Sequence, residues 1–121
     1  MPRAVYLFVY GTLKRGCWNH NYLSASRLIG EGYVSGYTLT VESYIPYAVR
    51  APGRCRLWGE VYLVDSRTLR RVDRLEGHPD EYRRVLVRVV MSSGGTVDAY
   101  MYEWLHQSAA ECIQEVYSCA V

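Results

Sequence analysis

A single well-capped helix set among strand-like runs limits what this chain can fold into. In "DSRTLRRVDRLEGHP" Asp65 or Ser66 supplies a cap, Gly77 a left-handed stop and Pro79 a block to continuation. The spacing therefore predicts a helix ending at Glu76. On both sides the pattern changes to short runs rich in tyrosine and β-branched residues: 4–10, 30–41, 44–50, 57–64, 82–91 and 96–104. Glycines bend the second run into a curved strand, and Pro46 confines the third to a sheet edge. "APGR" is a turn, and the last two runs form a hairpin around "SSGG". Asn19 caps a short helix reaching about residue 26. Residues 108–120 are helical by period, with Ala109, Ile113, Val116, Tyr117 and Ala120 on one face. Such a face must pack on the domain or on a second copy, so a homodimer through this C-terminal helix is one expectation. There is no regular βαβ alternation. The fold class expected is α+β, a curved mixed sheet or small mixed β-barrel with flanking short helices.

The chain has 121 residues, enough for one domain with its own core, expected to span 1–121 with a helical tail from about 105. No run of about 18 apolar residues exists, and the N-terminus lacks a signal-peptide pattern, so the expected location is cytoplasmic, with no membrane partner. The formal charge is +2, too small to imply a polyanion. Arg67, Arg70, Arg71 and Arg74 share one helix face but alternate with Asp65 and Asp73, which fits a solvated surface better than a nucleic-acid site. Cys17, Cys55, Cys112 and Cys119 form no C-x-x-C pair, so no zinc site is expected. On a helical tail Cys112 and Cys119 would stand about 10 Å apart, beyond disulfide reach. Free thiols are expected, with a Cys17–Cys55 bridge left open.

Two segments carry candidate chemistry. "YGTLKRG" has the glycine spacing of a phosphate loop, but Cys17 and Trp18 follow Gly16 in place of Lys-Ser/Thr, which removes the charge and the metal ligand. What remains is a strand-ending turn or a small anion nest of backbone N–H groups, which a side chain at position 11 would obstruct. In the helix, Leu69, Val72 and Glu76 share the inward face. A glutamate on that face, at the negative end of the helix dipole, is expected to have a raised pKa and to serve as a base near neutrality. The alternative is a helix-end glutamate that swings out, or pairs with a nearby arginine such as Arg83 or Arg84. Glu60 reads as strand surface, and Asp73 as support for a neighbouring turn. Cys17 lies beside Lys14 and Arg15, but His20, His78 and His106 are scattered and supply no recognisable base.

The blocks "FVYGTLKRG", "NH" with Leu23, "IPYAV", "GEVYLVD" and "DRLEGHPDEYRR" follow one another in order, and in this the sequence resembles the gamma-glutamylcyclotransferase superfamily, closest to its gamma-glutamylamine cyclotransferase branch. The resemblance runs from Val5 to Val89 and leaves the chain beyond Trp104 unassigned. It implies a compact mixed barrel with a cavity between the first loop and the end of the central helix. It implies Glu76 as the catalytic glutamate, Tyr10, Gly11, Thr12 and Leu13 as the substrate-binding loop, and Tyr82 as a pocket-lining tyrosine. The reaction implied is closure of a gamma-glutamyl amine or peptide to 5-oxoproline with release of a free amine, using no metal and no cofactor. A non-catalytic small-molecule binding module of the same fold is the second reading, and an RNA-binding protein the third.

Overall fold

The computed structural model describes residues 3–119. In chain order the elements are β1 (Ala4–Val9), one 3-10 turn (His20–Leu23), β2 (Arg27–Ser35), β3 (Tyr37–Glu42), β4 (Ile45–Arg50), β5 (Arg56–Asp65), α1 (Ser66–Glu76), β6 (Tyr82–Met91) and β7 (Thr96–Trp104). Five strands close a barrel in the order β1-β5-β2-β6-β7. Its pairings are antiparallel except the closure, where β1 meets β7 in parallel at Leu7 and Tyr100. β3 and β4 form a separate two-stranded ribbon. The expected class, a small mixed barrel with a flanking helix, is the one observed.

Strand alternation separates two cores. Phe8 and Tyr10 join Leu57, Val61, Val89 and Met101 inside the barrel. Leu7 and Val9 face the other way and meet Tyr62, Val64, Leu69 and Val72 beneath α1. That helix is capped as expected. The Asp65 carboxylate accepts the Thr68 N–H at 2.8 Å, and Gly77 takes the left-handed conformation at φ 67°. Leu69 and Val72 are buried, while the four arginines of the opposite face are exposed. Among the described residues, no helix is long and apolar enough to cross a membrane.

Several expectations are corrected. The bent strand over 30–41 is two strands, broken at Gly36, whose φ is 83°. Tyr44 belongs to a turn rather than to β4. Ser43 and Tyr44 both have positive φ and form the two-residue connection between Glu42 and Ile45. The helix after Asn19 shrinks to the 3-10 turn, and the Asn19 side chain does not cap it.

The largest correction is the tail, which is extended and not helical. Its backbone groups are taken by other strands. The Ala109 N–H donates to the Arg50 carbonyl at 2.8 Å, and the Gln114 and Glu115 carbonyls accept from the N–H groups of Leu39 (2.8 Å) and Trp58 (2.9 Å). The Thr38 hydroxyl oxygen accepts from the N–H groups of Ile113 and Gln114. Of the face expected to be apolar and packed, Tyr117 is buried, whereas Ile113 and Val116 are 61% and 48% exposed. Residues 120 and 121 lie outside the described part. The helix on which a homodimer was expected is therefore replaced by a strap folded onto its own domain.

The free thiols are overturned with it. Cys17 pairs with Cys119 and Cys55 with Cys112, at Cα separations of 5.6 and 5.3 Å, so the alternative Cys17–Cys55 bridge is not formed. A helix would have kept Cys112 and Cys119 on one short rod. The extended strap delivers each to a different cysteine.

Candidate active site

The first loop is held from several sides. The Gly11 carbonyl accepts the Lys14 N–H (3.1 Å), the Thr12 carbonyl accepts the Asn19 N–H (3.0 Å), and the Leu13 carbonyl lies 2.8 Å from His20 Nδ1. Asn19 Nδ2 donates to Thr12 Oγ1 at 3.0 Å, which is what that side chain does instead of capping a helix. Arg15 is held by Glu60, through its backbone N–H and its Nε, both at 3.0 Å. Glu60 also accepts the Tyr62 hydroxyl at 3.0 Å. Glu60 is thus buried, at 6% exposure, contrary to the surface role expected. The sequence carried a signal for this: in "GEVYLV" Glu60 shares strand parity with Tyr62 and Val64, the face turned to the helix. The N–H groups of Gly11, Thr12 and Leu13 have no protein acceptor among the described residues.

Glu76 is the last residue of α1, and the turn after it folds back tightly. The Gly77 carbonyl accepts from the N–H groups of Asp80 and Glu81, both at 2.9 Å. The Glu81 carboxylate is thereby laid over Gly77, where an added Cβ would stand 2.6 Å from it. Arg83 and Arg84, the candidates for neutralising Glu76, are engaged elsewhere: Arg83 by Glu103 at 3.4 Å and Arg84 by Asp73 at 3.1 Å. Burial first, and then the neighbouring Glu81 charge, push the Glu76 carboxyl up to about 7.

Loop and helix end face each other across a cavity of about 350 Å³. Tyr10, Gly11, Thr12, Leu13, Glu76 and Tyr82 all line it, so the fold brings together every site residue expected from the sequence. No lysine, arginine or histidine is among the lining residues. Lys14 turns away, donating from Nζ to the Tyr117 carbonyl.

The two tyrosines have structural duties that the sequence did not show. The Tyr10 hydroxyl donates to the Tyr102 carbonyl at 2.7 Å and accepts the Ala48 N–H at 3.3 Å. The Tyr82 hydroxyl donates to the Pro46 carbonyl at 2.7 Å, and its ring stacks on Tyr47 with centroids 5.8 Å apart. Trp104 packs on both of those rings. Burial holds the Tyr10 and Tyr82 hydroxyls well above the ordinary tyrosine range, so they remain protonated donors. Glu81, Tyr47, Tyr102 and Trp104 are lining residues that the sequence reading missed. Tyr102 is oriented by Asp73, which accepts its hydroxyl at 2.6 Å.

Gly11 is not among the glycines with positive φ. It is required for space, since a Cβ there would stand 2.5 Å from Pro46 Cγ. Gly11→Ala is expected to push the β3–β4 ribbon off the loop and to lower kcat/KM roughly ten- to a hundredfold, because small displacements of a positioning wall are costly. Steady-state kinetics checks this, and unchanged kcat/KM would show that the contact with Pro46 is not limiting.

The family model described as gamma-glutamyl cyclotransferase, AIG2-like, matches residues 7–118, so the match extends into the tail that the sequence reading left unassigned. A putative gamma-glutamylcyclotransferase of Methanocaldococcus jannaschii is 45% identical over 98 residues, covering 80% of this chain and 82% of that protein. The gamma-glutamylaminecyclotransferase of Bos taurus is 36% identical over 122 residues, covering 86% and 72%. Among solved structures, an uncharacterized protein of Pyrococcus horikoshii superposes with a TM-score of 0.71 at 36% identity, covering 91% of this chain and 86% of that one. An AIG2-like protein of Mus musculus superposes at 0.73 with 27% identity, covering 98% and 97%. From the matched model and these relatives, the chain belongs to the AIG2-like gamma-glutamyl cyclotransferase family and is an enzyme of that type.

Proposed function

We propose that this chain converts a gamma-glutamyl amine or peptide to 5-oxoproline and a free amine, with Glu76 as general base and then general acid. One observation carries the reading: the Glu76 carboxyl, which has no ion-pair partner among the described residues and is pushed up to about 7 by burial, lines the same cavity as a loop whose N–H groups at Gly11, Thr12 and Leu13 have no protein acceptor among the described residues. The substrate brings its own nucleophile. Glu76 takes a proton from the α-ammonium, and the freed amine attacks the γ-carbonyl carbon. A ring C–N bond forms and the original amide C–N bond breaks; the proton held by Glu76 passes to the leaving nitrogen, and the second proton lost from the ring nitrogen is taken up by solvent or by the released amine, which departs as an ammonium. Both reacting groups lie in one molecule, so holding the substrate folded supplies much of the rate. With no cationic side chain lining the cavity, the N–H groups of Gly11, Thr12 and Leu13 are left to bind the α-carboxylate or the developing oxyanion. Tyr10 and Tyr82 contribute ring surface and hold the walls.

Incubation with a panel of gamma-glutamyl amides, followed by detection of 5-oxoproline, tests the reaction. Failure to release 5-oxoproline from any of them, while still binding one calorimetrically, would leave a binding module instead. The cytoplasmic location proposed from the sequence must accommodate two disulfides, which fit an oxidising compartment or the disulfide-rich cytosol of hyperthermophiles.

A base must be ionised to act, so kcat/KM is expected to rise with pH through about 7 and level off above it. Glu81→Gln removes the like charge beside Glu76 and leaves its burial intact. The acid limb of the profile should then move to lower pH without vanishing. A limb that stays in place would remove Glu81 from the electrostatics of the site.

A further inference from the structure

We propose that the C-terminal strap is a positioning element of the active site: through the Cys17–Cys119 disulfide and Tyr117 it joins the substrate loop to the β3–β4 ribbon and holds the two cavity walls at their working separation. The loop forms one wall and the ribbon, through Pro46 and Tyr47, forms another. The ribbon is not a barrel member, and its two strands pair in register only with each other. The strap supplies what the barrel ladder does not. Its Gln114 carbonyl accepts from Leu39 on the ribbon, and the next carbonyl accepts from Trp58 on β5, so adjacent residues stitch ribbon to barrel.

Further along, Tyr117 reaches both walls at once. Its hydroxyl donates to the Tyr44 carbonyl in the ribbon turn at 2.5 Å. Its own carbonyl accepts the Lys14 ammonium from the loop, also at 2.5 Å. Its ring meets Trp18 edge-on, with centroids 6.4 Å apart. Two residues later the disulfide to Cys17 makes the attachment covalent. Tyr117 and Cys119 bond the ribbon turn and the loop rather than α1. The strap is therefore expected to govern how substrate is held rather than how the base titrates.

This inference rests on the cavity being the reaction site, and the test separates the two. Cys119→Ser releases the strap from the loop. Tyr117→Phe keeps the ring and the disulfide and loses only the bond to Tyr44. The paired Cys55→Ser/Cys112→Ser variant is the control, since that bridge holds the other end of the strap and reaches neither the loop nor Tyr117, while the Thr38 and Leu39 bonds still hold the strap to the ribbon. With a gamma-glutamyl amide as substrate, Cys119→Ser is expected to lose about ten- to a hundredfold in kcat/KM, mostly through KM, with the acid limb of the pH profile unmoved. Amide hydrogen exchange at residues 11–13 should accelerate in parallel. Tyr117→Phe should lose about threefold or more, and the control should stay within about twofold at 25 °C although it melts lower. Wild-type kinetics and exchange in Cys119→Ser, equal losses in the control, or wild-type values in Tyr117→Phe would each overturn the proposal. If the wild-type protein releases no 5-oxoproline, the proposed reaction fails and hydrogen exchange alone decides: unchanged protection at residues 11–13 in Cys119→Ser overturns the strap's role.

Discussion

Glu76→Gln should reduce 5-oxoproline release by roughly two to four orders of magnitude, the usual contribution of a positioned acid–base group. The glutamine keeps the shape of the side chain and can still accept a hydrogen bond, but it cannot take the proton from the α-ammonium. Loss of folding is excluded as the cause by a second measurement on the same variant. Folding raises the Glu76 pKa, so the folded state favours the protonated carboxyl, and that contribution to stability fades as pH rises through about 7. Glutamine does not ionise. The variant should therefore be at least as stable as the wild type above pH 7, by as much as about 3 kcal/mol. A variant that is inactive and also less stable would mean that Glu76 holds the helix end in place. Full turnover would remove it from the chemistry.

A large effect on stability is expected where the strap is bonded through Cys112 to the buried Cys55. The Cys55–Cys112 bridge closes 57 residues of sequence, and its loss through Cys55→Ser/Cys112→Ser should cost about 2–4 kcal/mol. For a domain of this size that corresponds to a fall in Tm on the order of 10 °C. Calorimetry of the variant beside the oxidised wild type checks it, at a fixed pH below the Glu76 transition so that the two effects do not mix. A change below about 1 kcal/mol would mean that the hydrogen bonds of Thr38, Gln114 and Glu115 hold the strap without the bridge.

What could be read before the structure divides along physical lines. The β6–β7 hairpin and α1 were legible because alternation, turn glycines and caps are local: both strand ranges, the helix end at Glu76 and the caps at Asp65 and Gly77 were met. The two segments that line the cavity, the loop after β1 and the end of α1, were legible as motifs. The strap was not. Residues 109, 113, 116 and 117 repeat at helical intervals, but their conformation is set by acceptors and donors on Arg50, Leu39 and Trp58, which lie far away in sequence. The same long-range control hid the cysteine pairing, because a helix was assumed to space Cys112 from Cys119. Glu60 was misread for a different reason. A charged residue was assigned outward by type, where its parity with Tyr62 and Val64 pointed inward and its partner, Arg15, sits on the loop it anchors. The hydroxyl duties of Tyr10 and Tyr82 have no sequence signal, since their acceptors are backbone carbonyls of other strands.

Joining residue 17 to residue 119 makes most of this polypeptide a covalent ring. A single backbone cut anywhere between them, the exposed Ser92–Gly95 turn included, opens the ring without releasing a fragment. The severed ends remain tethered through sulfur, and at that turn they belong to neighbouring strands already paired along β6 and β7. A nicked molecule would keep its mass under oxidising conditions and come apart only on reduction. Intactness of the chain and intactness of the fold are, for this protein, separate properties.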